Sequence, residues 1–122
     1  MEPHVTTVND LLSANLMRVF DNRDAADRRR AIDEIYAESV AFTDPEGTVT
    51  GRDELDRRAG ALLAKVPADF RFAEAGLRYT DASTGALAWT FGPADQPVAR
   101  GLDIITVQDG RIVALHTLLH DD

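Results

Sequence analysis

The sequence has 122 residues, of which 44% are hydrophobic and 28% are charged, and its formal net charge is -8 at pH 7. This length and composition are typical of one globular domain with a single core, and the acidic balance disfavours nucleic acids and anionic membranes as partners, because both bind basic surfaces. The sequence contains no cysteine, which excludes disulfides, thiol nucleophiles and thiolate metal sites.

The N-terminal residues carry no targeting signal that we recognise. The segment Met1–His4 has neither the basic start nor the apolar stretch of a signal peptide. No apolar run in the sequence approaches the roughly 20 residues that span a bilayer. We therefore expect the protein to be cytoplasmic.

Helical spacing dominates the first half of the sequence, where apolar residues recur three and four positions apart in three stretches. The first helix is expected to begin after Thr7 or Asn9, and the second after Asp24, because these residue types cap helix N-termini. Pro67 is expected to end the third. The basic run Arg28–Arg30 is flanked by acidic residues, so we interpret it as a solvated helix face.

A spacing of two, typical of β-strands, governs the sequence from residue 68 onward. An earlier strand, Ser39–Asp44, is expected before Pro45. The apolar parity switches across Ala75–Gly76, which predicts a β-bulge, and Asp109–Gly110 predicts a two-residue hairpin loop. We therefore predict an α+β fold in which three helices are followed by a curved antiparallel sheet.

Two aspartates lie within apolar strands, where aspartate is normally depleted. Because strand side chains alternate between faces, Asp44 shares a face with Phe42, and Asp103 shares one with Ile105. A carboxylate drawn into the protein with such neighbours is costly unless it has a partner. We interpret the pair as acid–base groups in a pocket for a small organic molecule. A turn-capping role for Asp44 is the open alternative.

The predicted hairpin gives Asp103 a neighbour. A two-residue loop at Asp109–Gly110 sets Gln108 opposite Arg111, and counting outward sets Asp103 opposite His116. The Cβ atoms of directly opposed residues lie about 4.5–5.5 Å apart. A carboxylate beside an imidazole can hold its tautomer and support its charged form. A purely structural Asp–His pair remains open, and a bulge in either strand would move His116 to the other face.

The resemblance to a known family rests on the order of the elements and on four segments: Tyr36–Gly47, Gly51–Leu55, Gly101–Asp103 and Val107–Ile112. Together they resemble the nuclear-transport-factor-two-like superfamily, which includes the SnoaL-like polyketide cyclases and the ketosteroid isomerases. The resemblance covers nearly the whole sequence and implies a single SnoaL-like domain over residues 1–122. It also implies a cone-shaped curved sheet wrapped around three N-terminal helices, an internal pocket, and a homodimer formed through the outer sheet face.

The resemblance also implies site roles. Asp44 matches the position of the ketosteroid isomerase general base, and Asp103 matches the aspartic acid that donates a hydrogen bond to the oxyanion. Leu16 stands where that enzyme has a second oxyanion donor, a tyrosine. Loss of one such donor typically lowers the rate about 10²–10³-fold, which disfavours steroid isomerisation. His116 is closer to the Asp/His chemistry of the cyclase-like branch.

From these features we expect a cofactor-independent acid–base isomerase, cyclase or lyase acting on a small apolar, polyketide- or steroid-like carbonyl compound. A non-catalytic ligand-binding or dimerisation module of the same fold is the alternative. The candidate catalytic residues are Asp44, Asp103 and His116. The candidate pocket residues are Leu16, Tyr36, Phe42, Trp89, Ile105 and Leu118. We expect neither a cofactor nor a metal site.

Overall fold

The computed structural model describes residues 7–120, so Met1–His4, on which the cytoplasmic prediction partly depends, lies outside the described residues. The helices are α1 (Val8–Ala14), which continues as a π-helical segment (Asn15–Phe20), α2 (Ala25–Ile35) and α3 (Arg52–Ala64). The strands are β1 (Tyr36–Asp44), β2 (Gly47–Thr50), β3 (Arg71–Thr80), β4 (Thr84–Gly92), β5 (Ala99–Gln108) and β6 (Arg111–Leu119). Over residues 7–120, none of the helices has the length and apolar character needed to cross a membrane.

The helix starts follow the predicted capping residues. The Thr7 hydroxyl accepts a hydrogen bond from the Asp10 N–H (3.0 Å), and the Asp10 carboxylate accepts one from the Thr7 N–H (3.3 Å). This reciprocal pair is a capping box, so Thr7 rather than Asn9 begins α1. The Asp24 carboxylate accepts a hydrogen bond from the Asp27 N–H (3.0 Å) at the start of α2. Both helix starts are thereby confirmed.

The first helix widens after Ala14. Within the π-helical segment the hydrogen bonds span five residues, as shown by the Asp21 N–H, which donates to the Leu16 carbonyl at 2.9 Å. Such segments are rare and often occur at functional sites. Here the segment carries Asn15, whose side chain is buried, to the concave side of the sheet.

The six strands form one sheet in the order β2-β1-β6-β5-β4-β3. β1 pairs with β6 in parallel, and all other neighbours are antiparallel. The predicted α+β class is confirmed, but the sheet is mixed rather than wholly antiparallel. β2 was not predicted because only one of its four residues, Val49, is a large apolar residue, so the strand shows no alternation.

A β-bulge in β3 bends the sheet. The pairing of β3 with β4 shifts between Glu74 and Arg78, and Gly76 within this stretch has φ 107°. The bulge predicted at this glycine is therefore confirmed, and it increases the local twist and curvature of the sheet.

The hairpin loop is confirmed, but the predicted neighbour of Asp103 is wrong. Asp109 and Gly110 both have positive φ (52° and 76°), as a type I′ turn requires. The register then shifts by one residue after the second pair, because Val113 is bulged out of β6. Asp103 consequently pairs with Thr117, and His116 lies on the opposite, exposed face of the sheet.

The helices pack on the concave face of the sheet and bury one continuous apolar core. Its largest fully buried side chains are those of Leu11, Leu12, Leu16, Val19, Ile32, Tyr36, Val40, Leu55, Leu87, Ile105, Ile112 and Leu115. The expectation of a solvated basic run is wrong for Arg28, which is buried between α2 and α3. Its Nε donates to Asp56 (2.9 Å) and its Nη1 to the Asn22 carbonyl (2.9 Å), so it joins the two helices.

Candidate functional site

A cavity of about 370 Å³ lies between α3, the π-helical segment and the concave face of the sheet. This volume falls within the range of small-molecule sites, about 300–1,000 Å³. Its walls are aromatic: the rings are those of Phe20, Phe42, Phe72, Trp89 and Phe91. Phe72 stacks on Phe91 with ring centroids 4.1 Å apart and meets Trp89 edge-on at 5.2 Å. The walls therefore suit a largely apolar ligand.

Asp103 forms the buried end of the cavity, which we call the floor, together with Thr117. The Asp103 side chain is held by three donors from three elements. Its Oδ1 accepts from Trp89 Nε1 (3.0 Å) and Thr117 Oγ1 (2.8 Å), and its Oδ2 accepts from Asn15 Nδ2 (2.9 Å). A carboxylate offers about four acceptor positions, so about one remains for a ligand.

The direction of the hydrogen bonds around Asp103 is fixed by Tyr36. Burial, and then the charge of Asp103, raise the pKa of Tyr36 well above its ordinary value of 10.0, so its hydroxyl stays protonated. That hydroxyl donates to Asn15 Oδ1, which leaves Asn15 Nδ2 to donate to Asp103. The indole N–H of Trp89 can only donate. The arrangement is therefore the one expected around an ionised Asp103.

Burial raises the pKa of Asp103 above its ordinary value of 3.8, and the hydrogen bonds from Trp89, Thr117 and Asn15 lower it and offset part of the rise. Desolvation acts on the charged form, whereas the donors stabilise that form. The net result is a carboxylate that is a stronger base than one in water.

Asp44 lies at the exposed end of the cavity, which we call the mouth, with Glu46, Arg58 and Lys65. Asp44 Oδ1 accepts from the Glu46 N–H (2.9 Å) and from Arg58 Nη1 (2.7 Å). The first bond caps the turn, so the structural alternative for Asp44 is confirmed. Both hydrogen bonds that residues 7–120 donate to the Asp44 carboxylate are on Oδ1, so Oδ2 is available to a ligand. The pKa of Arg58 is raised, chiefly by its hydrogen bond to Asp44.

The structure does not bring His116 to this site. His116 pairs with Ile104, and its side chain lies on the outer, exposed face of the sheet. The bulge at Val113 causes this, because it reverses the facing of the residues that follow. Among residues 7–120, no three histidine, cysteine, aspartate or glutamate side chains are grouped so that they could hold a metal ion.

The predicted pocket residues divide into two groups. Phe42 and Trp89 line the cavity. The remaining four do not: Leu16, Tyr36, Ile105 and Leu118. Three of these are fully buried in the core beside the cavity. Leu118 lies on the outer face, because strand side chains alternate and its neighbour Thr117 faces inward.

The family profile described as "SnoaL-like domain" matches residues 14–115. The chain belongs to the SnoaL-like family. The predicted membership of the nuclear-transport-factor-two-like superfamily is thereby confirmed. No curated protein sequence matches the chain.

Solved structures share the fold of this SnoaL-like domain. One from Agrobacterium tumefaciens, described provisionally as an isomerase of the SnoaL-like family, is 23% identical with a TM-score of 0.82, over 91% of this chain and 95% of that chain. One from Jannaschia, provisionally a SnoaL-like polyketide cyclase, is 12% identical with a TM-score of 0.72 (98% and 91%). One from Kribbella flavida, provisionally a ketosteroid isomerase, is 17% identical with a TM-score of 0.70 (92% and 76%). At these identities the likeness shows the fold alone.

Three polar residues whose side chains contact Asp103 or Asp44 were missed by the sequence analysis: Asn15, Arg58 and Thr117. Two of them left a signal. Asn15 interrupts the apolar stripe of the first helix, three residues after Leu12 and four before Val19. Arg58 lies three residues after Leu55 and four before Leu62, so it interrupts the apolar stripe of the third helix. Thr117 left no signal, because its inward position depends on the bulge.

The indole of Trp89 reaches Asp103 because residue 101 has no side chain. A Cβ at Gly101 would lie 2.6 Å from Trp89 Cη2 and 2.7 Å from the Leu118 carbonyl oxygen. Glycine thus leaves room for the ring to lie across β5, and from there Nε1 donates to the carboxylate two residues further along the strand.

Gly101→Ala is expected to displace the indole and expose its N–H. Overpacking of this kind typically lowers the free energy of unfolding by about 1–3 kcal/mol. Trp89 is the one tryptophan of the sequence, so hydrogen exchange of a single indole N–H reports the effect. Gly85→Ala is the matched control, since its Cβ would instead meet Val8 and Leu12 in the core. An indole N–H equally protected in wild type and Gly101→Ala would contradict the prediction.

Proposed function

We propose that this SnoaL-like domain is a cofactor-independent acid–base enzyme, an isomerase, cyclase or lyase, acting on a small apolar carbonyl compound. The observation that carries the proposal is the buried carboxylate of Asp103 at the floor of an aromatic cavity. Burying a carboxylate costs free energy, and a group with a shifted pKa in a cleft is a candidate for proton transfer. The provisional descriptions of the compared structures, as an isomerase, a cyclase and a ketosteroid isomerase, support the same class of reaction.

In the proposed reaction Asp103 is the base. Its free acceptor position takes a proton from a carbon next to the substrate carbonyl, and the C–H electron pair becomes the enolate. Return of that proton to a different carbon of a conjugated enolate completes an isomerisation. In a cyclisation the enolate carbon attacks a second carbonyl carbon, and the oxygen of that carbonyl takes the proton back from Asp103. Proton transfer by a positioned group typically contributes about 10²–10⁴ in rate.

The proposed roles of the other polar groups follow from their partners. Arg58 lines the same cavity and supplies positive charge for the enolate oxygen, while Asp44 holds Arg58 in place through their 2.7 Å hydrogen bond. This assignment differs from the one implied by the resemblance, in which Asp103 donates to the oxyanion. Three protein donors already converge on Asp103, so it is placed to accept.

A non-catalytic binding module is the second candidate, and one observation favours it. Asp103 and Asp44 are both satisfied by protein donors, so neither carboxylate needs a reaction to explain how its burial is tolerated. The same cavity could then hold a ligand without changing it.

The test uses cyclic ketones and 1,3-dicarbonyl compounds that raise the melting temperature of the protein, because binding to the folded state stabilises it. Each is incubated with the protein in D₂O, and incorporation of deuterium next to the carbonyl is followed by NMR. The proposal expects protein-dependent exchange in at least one compound. Binding without any exchange across the set would overturn it in favour of the binding module.

We also propose that a second copy of the chain covers the outer face of the sheet, as the resemblance implies. This face exposes Leu77 (75%), Tyr79 (69%) and Leu118 (44%), which is unusual for large apolar side chains in a monomer. Sedimentation equilibrium of the wild type and of Leu118→Glu tests this: we expect a dimer that the glutamate dissociates, and a monomeric wild type would contradict it.

A further inference from the structure

The hydrogen-bonding groups of the cavity are divided between its two ends. We propose that the cavity selects apolar compounds that carry a hydroxyl, enolic or phenolic, at the end that enters first, and a carbonyl oxygen at the end that remains near the mouth. The inference goes beyond the proposed function by naming a class of ligand, and it rests on that function only in placing the ligand in this cavity. The hydroxyl of such a ligand occupies the acceptor position of Asp103 that the proposed reaction uses, so the compound binds there without reacting.

Among residues 7–120, the side chains that form the floor offer acceptors and no free donor while Asp103 is ionised. The Trp89 N–H and the Asn15 amide N–H are both directed at Asp103, and the Thr117 hydroxyl also donates to it. The positions left for a ligand are the remaining acceptor position of Asp103 and the lone pairs of Thr117 Oγ1. A ligand hydroxyl finds a partner at this point, whereas a carbonyl oxygen meets only other acceptors.

Tyr36 prevents the Asn15 amide from turning over. If the Asn15 amide turned over to let Asp103 donate, the fully buried Tyr36 hydroxyl would face an N–H and lose its acceptor. An unsatisfied buried polar group costs about 1–3 kcal/mol. The protein donors therefore keep their direction, and the floor is an acceptor while Asp103 is ionised.

The mouth offers the donors that the floor lacks, beside the carboxylates of Asp44 and Glu46. Among the described residues of the lining, Arg58 and Lys65 carry the free N–H donors, and Arg58 Nη1 already contacts Asp44. A carbonyl oxygen at the outer end of a bound ligand is satisfied by these cations, and the aromatic walls take the apolar body between the two ends. The two ends together prefer one orientation of an unsymmetrical ligand.

The experiment compares 6-acetyl-2-naphthol with its methyl ether, 6-acetyl-2-methoxynaphthalene, by calorimetric titration of the wild-type chain. The ether keeps the rings and the carbonyl but cannot donate. Because a lost hydrogen bond to a buried charged acceptor is costly, we expect the naphthol to bind at least about tenfold more tightly. Equal affinity, or tighter binding of the ether, would overturn the proposal.

Variants locate the preference at the floor. Asp103→Asn replaces the free acceptor position with an N–H and should reduce the ratio of the two affinities, while Asp95→Asn, in the exposed loop between β4 and β5, should leave it unchanged. A ratio that survives Asp103→Asn would place the preference elsewhere and overturn the assignment to the floor. The proposed reaction can fail separately: a naphthol preference without deuterium exchange in any ketone supports this inference and contradicts catalysis.

Discussion

Asp103→Asn is expected to lower the rate of deuterium exchange into a responsive ketone by about 10²–10⁴, the usual effect of a positioned acid–base group. The amide has the size of the carboxylate but cannot take the proton. It also replaces one acceptor oxygen with an N–H, although Asn15, Trp89 and Thr117 all donate to this side chain. The variant should therefore lose about 1–3 kcal/mol of stability. Exchange is therefore measured at a temperature where thermal unfolding shows both proteins folded.

Asp95→Asn is the matched control for this substitution. Asp95 is exposed in the loop between β4 and β5, so the same change of charge there should leave exchange at the wild-type rate. If Asp103→Asn exchanged the ketone as fast as the wild type while remaining folded, Asp103 could not be the base. A loss shared equally by both variants would instead indicate a general effect of charge.

Asp21→Ala is expected to lower the free energy of unfolding by about 3 kcal/mol. Asp21 ends the π-helical segment, and its buried carboxylate accepts from Arg71 Nη2 (2.8 Å) and from the N–H of Phe72 (2.8 Å). Alanine removes an ion pair and leaves a buried backbone N–H without an acceptor, each of which typically costs about 1–3 kcal/mol. Urea unfolding of the two proteins measures the difference.

Asp21→Asn separates these two contributions. The amide oxygen can still accept from the Phe72 N–H, so only the charge of the ion pair is lost, and we expect roughly half the effect of alanine. A stability within about 0.5 kcal/mol of wild type for Asp21→Ala would show that this link between the π-helical segment and β3 contributes little. The link matters for the site because it places Phe20 and Phe72 in the cavity wall.

The parts of the fold that were predictable are those with local causes. Thr7 and Asp24 cap helices through their own side chains, and the Asp109–Gly110 turn depends on two residues that tolerate positive φ. The parallel pairing of β1 with β6 was not predictable in this way, because it joins strands that are far apart in sequence and leaves no local pattern.

The bulges in β3 and β6 explain why only part of the candidate site was predictable from the sequence. The bulge in β3 contains Gly76 and was visible in the sequence, whereas the bulge in β6 falls on Val113, a residue that also suits a regular strand. Asp44 and Asp103 could be found because a carboxylate is conspicuous among apolar strand residues. The partner of Asp103 could not be found, because the extra residue Val113 shifts the register so that Thr117, and not His116, faces inward.

The ionisation of Asp103 is reported directly by a pH titration of the indole N–H resonance of Trp89, the one tryptophan in the sequence. Its hydrogen bond to Asp103 predicts that the resonance moves as that carboxyl ionises, with a midpoint above the ordinary value of 3.8, and that 6-acetyl-2-naphthol shifts it further. The movement with pH should be absent in Asp103→Asn. A resonance that responds neither to acid nor to the naphthol would contradict a buried, ionisable acceptor at the floor of a binding cavity.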